Sequence, residues 1–190
     1  PLIVAWPGKI QAGSVSHEPV IIEDFYPTLL AAAGVAVPRE DQLAETDYEG
    51  ETIRQVIDGE SFLPVLLGER ATVRADGAAR PLLWHYPNKW GEGPEGKAYN
   101  FYSALRLGRW KLIYQHSDRS FELYDIERDI SEQENLAARL PAKVEELRRT
   151  MGALLRERGA QMPYVGNANG ETVPLPDETP LNVGGLTLRN

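Results

Sequence analysis

Tyr102-Ser103-Ala104-Leu105-Arg106-Leu107-Gly108-Arg109-Trp110-Lys111-Leu112-Ile113-Tyr114 consists of two apolar-rich runs around a two-residue break that begins with glycine. That spacing predicts a β-hairpin, because a two-residue connection between strands needs a positive backbone φ that glycine adopts freely. Outward from the hairpin, Pro81-Leu82-Leu83-Trp84-His85-Tyr86-Pro87 reads as a short strand, and Phe121-Glu122-Leu123-Tyr124-Asp125 alternates apolar with polar as a further one. The block is therefore expected to be an antiparallel sheet. Gly91 to Gly96 predicts a flexible loop, and Asp129 with Glu132 predicts a capped turn ending near Asn135.

The sheet needs a cover, and the sequence supplies one. From about Pro141 to Arg158, Val144, Leu147, Met151, Leu154 and Leu155 recur on one stripe at helical period, with charged residues opposite. Glu145 and Arg149 stand four apart, a favourable helical pair, whereas Gly152 lowers helix propensity unless packing requires it. After Gly159 the chain turns to Gly, Asn, Pro and Thr, so 163–190 is expected to be an extended tail.

Upstream, Leu2-Ile3-Val4-Ala5-Trp6 predicts a strand buried on both faces, closed by Pro7-Gly8. Asp24 stands where it would cap a helix running to Gly34, with Pro27 in its first turn. Residues 38–58 are acidic and read as an irregular solvated excursion. Phe62 to Gly68 predicts a short helix after the Asp58-Gly59-Glu60-Ser61 turn, and a polar connector over 69–80 separates a segment 1–70 from a segment 80–162. A chain that opens at Pro1 on a buried-type strand is expected to be an internal or C-terminal piece of a longer one.

Composition narrows the chemistry. The 190 residues carry 28 acids against 20 Lys and Arg, for a net charge of −8, which does not suit a nucleic-acid partner. The absence of cysteine excludes disulfides, thiolate metal sites and cysteine nucleophiles within these residues. No run of apolar residues reaches the roughly 18–20 a membrane helix needs. There is no phosphate-cradling glycine loop, and the glycines at Gly91–Gly96 and Gly184-Gly185 lack a strand-to-helix setting. His17 and His116 read as loop histidines, the latter beside the probable hairpin tip Ser117–Ser120. Arg106 and Lys111 read as surface charges.

His85, Asn88, Lys89 and Trp90 form the best-placed polar and aromatic group, at a strand end beside Trp84 and Tyr86. Rings for stacking, together with imidazole, amide and ammonium groups, suit a sugar or aryl group carrying an anion. They are the candidate substrate-binding residues. No residue is assigned a catalytic role or a metal.

In order along the chain, several segments resemble the C-terminal region of sulfatases of the alkaline-phosphatase-like superfamily. They are Pro1 to Ile10, Asp24-Phe25-Tyr26-Pro27-Thr28-Leu29-Leu30 with Ala33-Gly34, Asp58-Gly59-Glu60-Ser61-Phe62, the hairpin Ser103–Ile113, Leu123-Tyr124-Asp125-Ile126, and Asp129 to Leu136. Ile130 departs from the family pattern, where proline is common. The resemblance covers about residues 1–163 and implies an α/β protein, α+β in its C-terminal part. It implies that 1–70 ends a mixed-sheet domain and that 80–162 forms a four-stranded antiparallel sheet with a packed C-terminal helix. It also implies a parent enzyme hydrolysing sulfate esters through a formylglycine and a calcium ion, both upstream of this chain. The formylglycine is made from a C/S-x-P-x-R motif, which these 190 residues lack. The missing N-terminal catalytic portion is then the partner, a sulfate ester the substrate, and a periplasmic or secreted setting the expected location. Two other readings stay open: a non-catalytic module binding carbohydrate or protein, and a phosphodiesterase or phosphonate hydrolase of the same superfamily.

Overall fold

A computed structural model describes all residues except 1, 40–41, 89, 93–97, 100, 165–169, 184–185 and 188–190. The chain divides into two compact units, Pro1–Arg80 and Pro81–Asn190, each described by itself.

In the first unit, helix α1 (Phe25–Ala32) ends where Gly34 takes φ 71°, a left-handed conformation that suits glycine. Strands β1 (Glu45–Tyr48) and β2 (Glu51–Arg54) form a hairpin within the acidic stretch that the sequence suggested was irregular. Glu49 and Gly50 both have positive φ, 53° and 84°, as a tight two-residue turn of this kind requires. The pairing carries it, since β1 is exposed throughout. Helix α2 (Leu63–Leu66) follows.

The strand expected over Leu2–Trp6 is not formed. An apolar run becomes a strand only by pairing, and no strand among the described residues pairs with it. Leu2 and Val4 stay partly exposed and Ile3 is 92% exposed. Leu2, Val4, Ile10, Val20, Phe62 and Val65 line an open apolar groove of about 180 Å³.

A buried polar knot holds this unit together. Asp24 sits where a helix cap would, yet its side chain makes no capping bond. Instead its carboxylate accepts from the Ile21 and Glu60 backbone N–H groups, both at 2.9 Å, and from Arg80 Nη1 and Nη2 at 2.6 and 2.7 Å. Asp24 is fully buried and Arg80 nearly so. Burial alone would raise the Asp24 carboxyl, but the Arg80 guanidinium and the two backbone donors outweigh it and hold the group below its ordinary range. Thr28 Oγ1 donates to the Asp24 carbonyl and accepts from the Phe62 N–H. Gly59 lets the 58–62 turn approach closely, because a Cβ there would lie 2.1 Å from the Glu23 carbonyl oxygen.

The second unit begins with β3 (Leu82–His85), then β4 (Trp90–Glu92) paired with β5 (Ala98–Tyr99). The expected loop over Gly91–Gly96 falls largely outside the described residues, as does Gly184-Gly185. The predicted hairpin is β6 (Tyr102–Leu107) with β7 (Trp110–Gln115), and β8 (Phe121–Asp125) completes an antiparallel sheet of order β3-β6-β7-β8. Gly108, with φ 58°, stands first in the turn.

Helix α3 (Pro141–Glu157) lays Val144, Leu147, Met151 and Leu155 on Leu105, Leu112, Tyr114, Phe121 and Leu123. Each such side chain taken fully out of water contributes about 1.5–3 kcal/mol. Between β8 and α3, Asp129 accepts from the Glu134 N–H, but Glu132 turns to Lys111 rather than closing a capping box.

The segment expected as an extended tail packs onto the same core. Val173 and Val183 are buried in it, and β9 (Asn182–Val183) pairs with β10 (Leu186–Thr187). Arg148 donates to the Pro176 and Thr179 carbonyls, and Arg156 pairs with Asp177 and Glu178. Gly152 explains itself here, since a Cβ at that point would lie 1.9 Å from Asp177 Oδ1. No helix among the described residues is long and apolar enough to cross a membrane.

Candidate functional site

The group singled out in the sequence lies at the end of β3. Alternation along the strand sends its members to opposite faces. Trp84 and Tyr86 point away from α3. With Tyr102, Arg106, Lys111 and Glu132 they line an open hollow of about 370 Å³. Tyr86 and Tyr102 pack edge to face, 5.4 Å between centroids, and Lys111 Nζ is 2.6 Å from Glu132 Oε1.

His85 turns to the α3 face. Its Nδ1 is 2.8 Å from Ser103 Oγ and its Nε2 3.0 Å from the Gln161 carbonyl oxygen. Asn88 is exposed just beyond the strand end and Trp90 opens β4. Lys89 lies outside the described residues. Aromatic rings and imidazole, adjacent in sequence, are thus on different sides of the sheet.

His116, read from the sequence as a loop residue, is 2% exposed. It follows Leu112 and Tyr114 at period two, which turns it to the covered face. Its Nε2 is 2.9 Å from Ser103 Oγ, and the rings of Phe101, Tyr114 and His85 surround it at 5.3–5.6 Å between centroids. Burial, then the charge on His85, pushes its pKa down to about 3, and its Nδ1 has no partner. The sequence reading missed this connection. Strand register, with His85 opposite Ser103 and Ser103 opposite Tyr114, is the signal that finds it.

Among the described residues no three His, Asp or Glu side chains come together as a metal site would need. With no cysteine and no serine beginning S-x-P-x-R, the chain does not supply a formylglycine precursor either. The described residues therefore do not fit a calcium site, and the sequence does not fit that nucleophile.

A four-stranded antiparallel sheet backed by one C-terminal helix is the architecture expected of the C-terminal subdomain of a sulfatase. The family model for the C-terminal region of N-sulphoglucosamine sulphohydrolase matches residues 1–161, and the chain belongs to that family. It is 33% identical over 144 residues to a sulfatase of Formosa agariphila, covering 75% of this chain and 23% of that protein. It is 30% identical over 137 residues to an N-acetylglucosamine-6-O-sulfatase of Bacteroides thetaiotaomicron, covering 72% of this chain and 21% of that one. Among solved structures, it is similar to a protein in complex with its substrate D-glucosamine-2-N,6-O-disulfate. There the TM-score is 0.55 at 28% identity, over 81% of this chain and 27% of the other. The chain therefore spans about a quarter of the length of these relatives.

Proposed function

We propose that these residues are the C-terminal part of an enzyme that hydrolyses sulfate esters, and that they complete its fold and help select its substrate without performing the reaction. The observation that carries this is the family match over 1–161 in a chain that lacks a C/S-x-P-x-R motif and, among its described residues, any cluster of metal-ligating side chains. The open groove at Leu2, Val4 and Phe62 supports the same reading, because exposed apolar surface of this kind calls for a cover.

In the parent enzyme a calcium ion and a formylglycine, held by residues outside this chain, would supply the nucleophile and stabilise charge at sulfur. The part played here is binding. His85, Asn88, Lys89 and Trp90 are the residues that would contact the group bearing the sulfate. His85 orients the strand end through its internal hydrogen bonds, while amide, ammonium and indole groups are of the types that hold a sugar. A sulfated hexosamine is the first substrate to try, since the Bacteroides thetaiotaomicron relative is named an N-acetylglucosamine-6-O-sulfatase and one similar structure holds D-glucosamine-2-N,6-O-disulfate.

The test uses the polypeptide as its source makes it, assayed on sulfate monoesters and on phosphate mono- and diesters. Preference for sulfate is expected, with Asn88→Ala and Lys89→Ala changing the ratio of kcat/KM among sulfated sugars. Preference for phosphate overturns the reaction, and an equal loss on every ester overturns the selective role.

A further inference from the structure

We propose that the hollow on the sheet face turned away from α3 is a second binding site, for a sugar that carries an anionic group: the rings of Trp84, Tyr86 and Tyr102 take the flat face of the sugar, and the Arg106 guanidinium takes its anion. Taken with the candidate residues at 85–90, the hollow is the place of a neighbouring sugar in an oligosaccharide, and that meaning rests on the function proposed above. The binding itself does not.

Strand register builds the hollow. Trp84 stands opposite Ala104 and Ala104 opposite Ile113, so a small residue lies in the middle of this face with large ones beside it. Alternation carries Tyr102 and Arg106 to the same face, on either side of Ala104. The Tyr86 N–H donates to the Tyr102 carbonyl at 2.9 Å, which extends the pairing past the end of β3 and sets the two rings edge to face. Ala104 is buried, whereas Tyr86 is 40% exposed and Ile130, on the rim, 80% exposed. The space of about 370 Å³ falls within the range of small-ligand clefts, about 300–1,000 Å³.

Charge selects the ligand. Arg106 and Lys111 are directly opposite each other on β6 and β7, a like-charged cross-strand pair that costs stability unless something answers it. Glu132 answers one of the two, 2.6 Å from Lys111 Nζ. Arg106 donates its Nε–H to the Gly108 carbonyl at 3.3 Å, and no carboxylate among the described residues forms an ion pair with it. Its terminal nitrogens are left as a fork whose spacing matches the oxygens of a carboxylate or a sulfate. The lining therefore carries one uncompensated cation in a chain of net charge −8.

The same features disfavour a protein as the cover. The centre of a buried protein interface is depleted of charge, and here a pair of cations and a carboxylate lie on the wall. Three rings in a concave wall beside one charged fork suit instead a single ring with apolar faces, polar edges and an anionic substituent.

The experiment titrates the 190-residue chain with three sugars that differ only in the group at their last carbon, followed by amide and indole NMR. The probes are glucose, glucuronate and 6-deoxy-6-sulfoglucose, whose carbon–sulfur bond is not an ester. Saturable shifts are expected at Trp84, Tyr102, Arg106 and Lys111, with both anions bound roughly tenfold more tightly than glucose. Tighter binding of the sulfonate assigns the site to a sulfated sugar, tighter binding of glucuronate to a uronic acid, and either supports it. Arg106→Gln should bring both anions down to the affinity of glucose, while Tyr86→Ala should weaken all three. No saturable shift at these residues overturns the proposal. So do equal affinities for the three sugars, or anion binding unchanged in Arg106→Gln. Hydroxyl-radical labelling of the polypeptide as its source makes it should reach Tyr86 and Ile130, and protection of both there would show the face covered by protein and overturn the site. If a variant does not fold, the comparison of the three sugars on the wild type decides. None of these readings involves turnover, so inactivity toward every sulfate ester would leave the site standing, and the reverse also holds.

Discussion

The two units solve the same problem by different means. Residues 81–190 bury one apolar face: a sheet, a helix and a returning segment share a core in which Leu105, Leu112, Leu123, Val144, Met151 and Leu155 are inaccessible to water. Residues 1–80 converge instead on a carboxylate, with Asp24 gathering two backbone donors and one guanidinium, while Leu2, Ile3, Val4 and Leu29 remain in part or largely exposed. A core of side chains degrades gradually as its volume is removed. A knot of charges fails at once when one partner goes, because the charge left behind is buried without compensation.

The sharpest way to break this contrast is Arg80→Ala. It strands the Asp24 carboxylate and should destabilise the first unit by about 3–5 kcal/mol. Hydrogen exchange at amides 21–63 should report the loss while amides of β6–β8 stay protected. Leu147→Ala is the counterpart in the second unit, with a loss of about 2–5 kcal/mol read at β6–β8 and α3. Equal loss of protection in both units from either change would contradict two independent means of support. Gly59→Ala tests the knot sterically, since its Cβ must displace the Glu23 backbone. A loss of about 1–3 kcal/mol is expected by denaturant unfolding followed at residues 21–63.

The smallest effect per step is a pH slope. His116 stays neutral in the folded unit down to about pH 3, whereas in the unfolded chain it takes a proton near pH 6.5. Between those values the unfolded state binds more protons, so the stability of the second unit should fall as pH drops, by on the order of 1 kcal/mol per unit. The loss begins near pH 6.5 and ends near pH 3. Melting His116→Phe beside the wild type over that window should show a flatter dependence, and parallel slopes would remove His116 as the cause.

What the sequence made legible follows the same divide. The hairpin at Gly108, the alternation of Phe121–Asp125 and the stripe of α3 are local patterns, and the structure shows all three. Gly152 was visible only as a weakness in a helix and Gly59 only as part of a turn, because what each makes room for, Asp177 and the Glu23 backbone, lies far off in sequence. Asp24 at the head of a helix has the local signature of a cap, and nothing nearby in the chain announces Arg80, 56 residues on. His116 was misplaced because its position beside the apparent hairpin tip was taken to mean exposure, whereas it continues the alternation of Leu112 and Tyr114 onto the covered face. At the candidate site, the placing of Trp84 and Tyr86 on one face of the sheet and His85 on the other emerges only from strand register.

The central claim is that these residues complete a sulfatase whose reacting groups lie outside them. Its most direct test is the intact denatured mass of the polypeptide in its source, with the coding sequence upstream of Pro1 read alongside. A mass well above 21.2 kDa, with a formylglycine at a C/S-x-P-x-R motif, is the predicted result. A native polypeptide of 21.2 kDa with no such motif would contradict it, and would make the chain a binding module whose partner is still to be found.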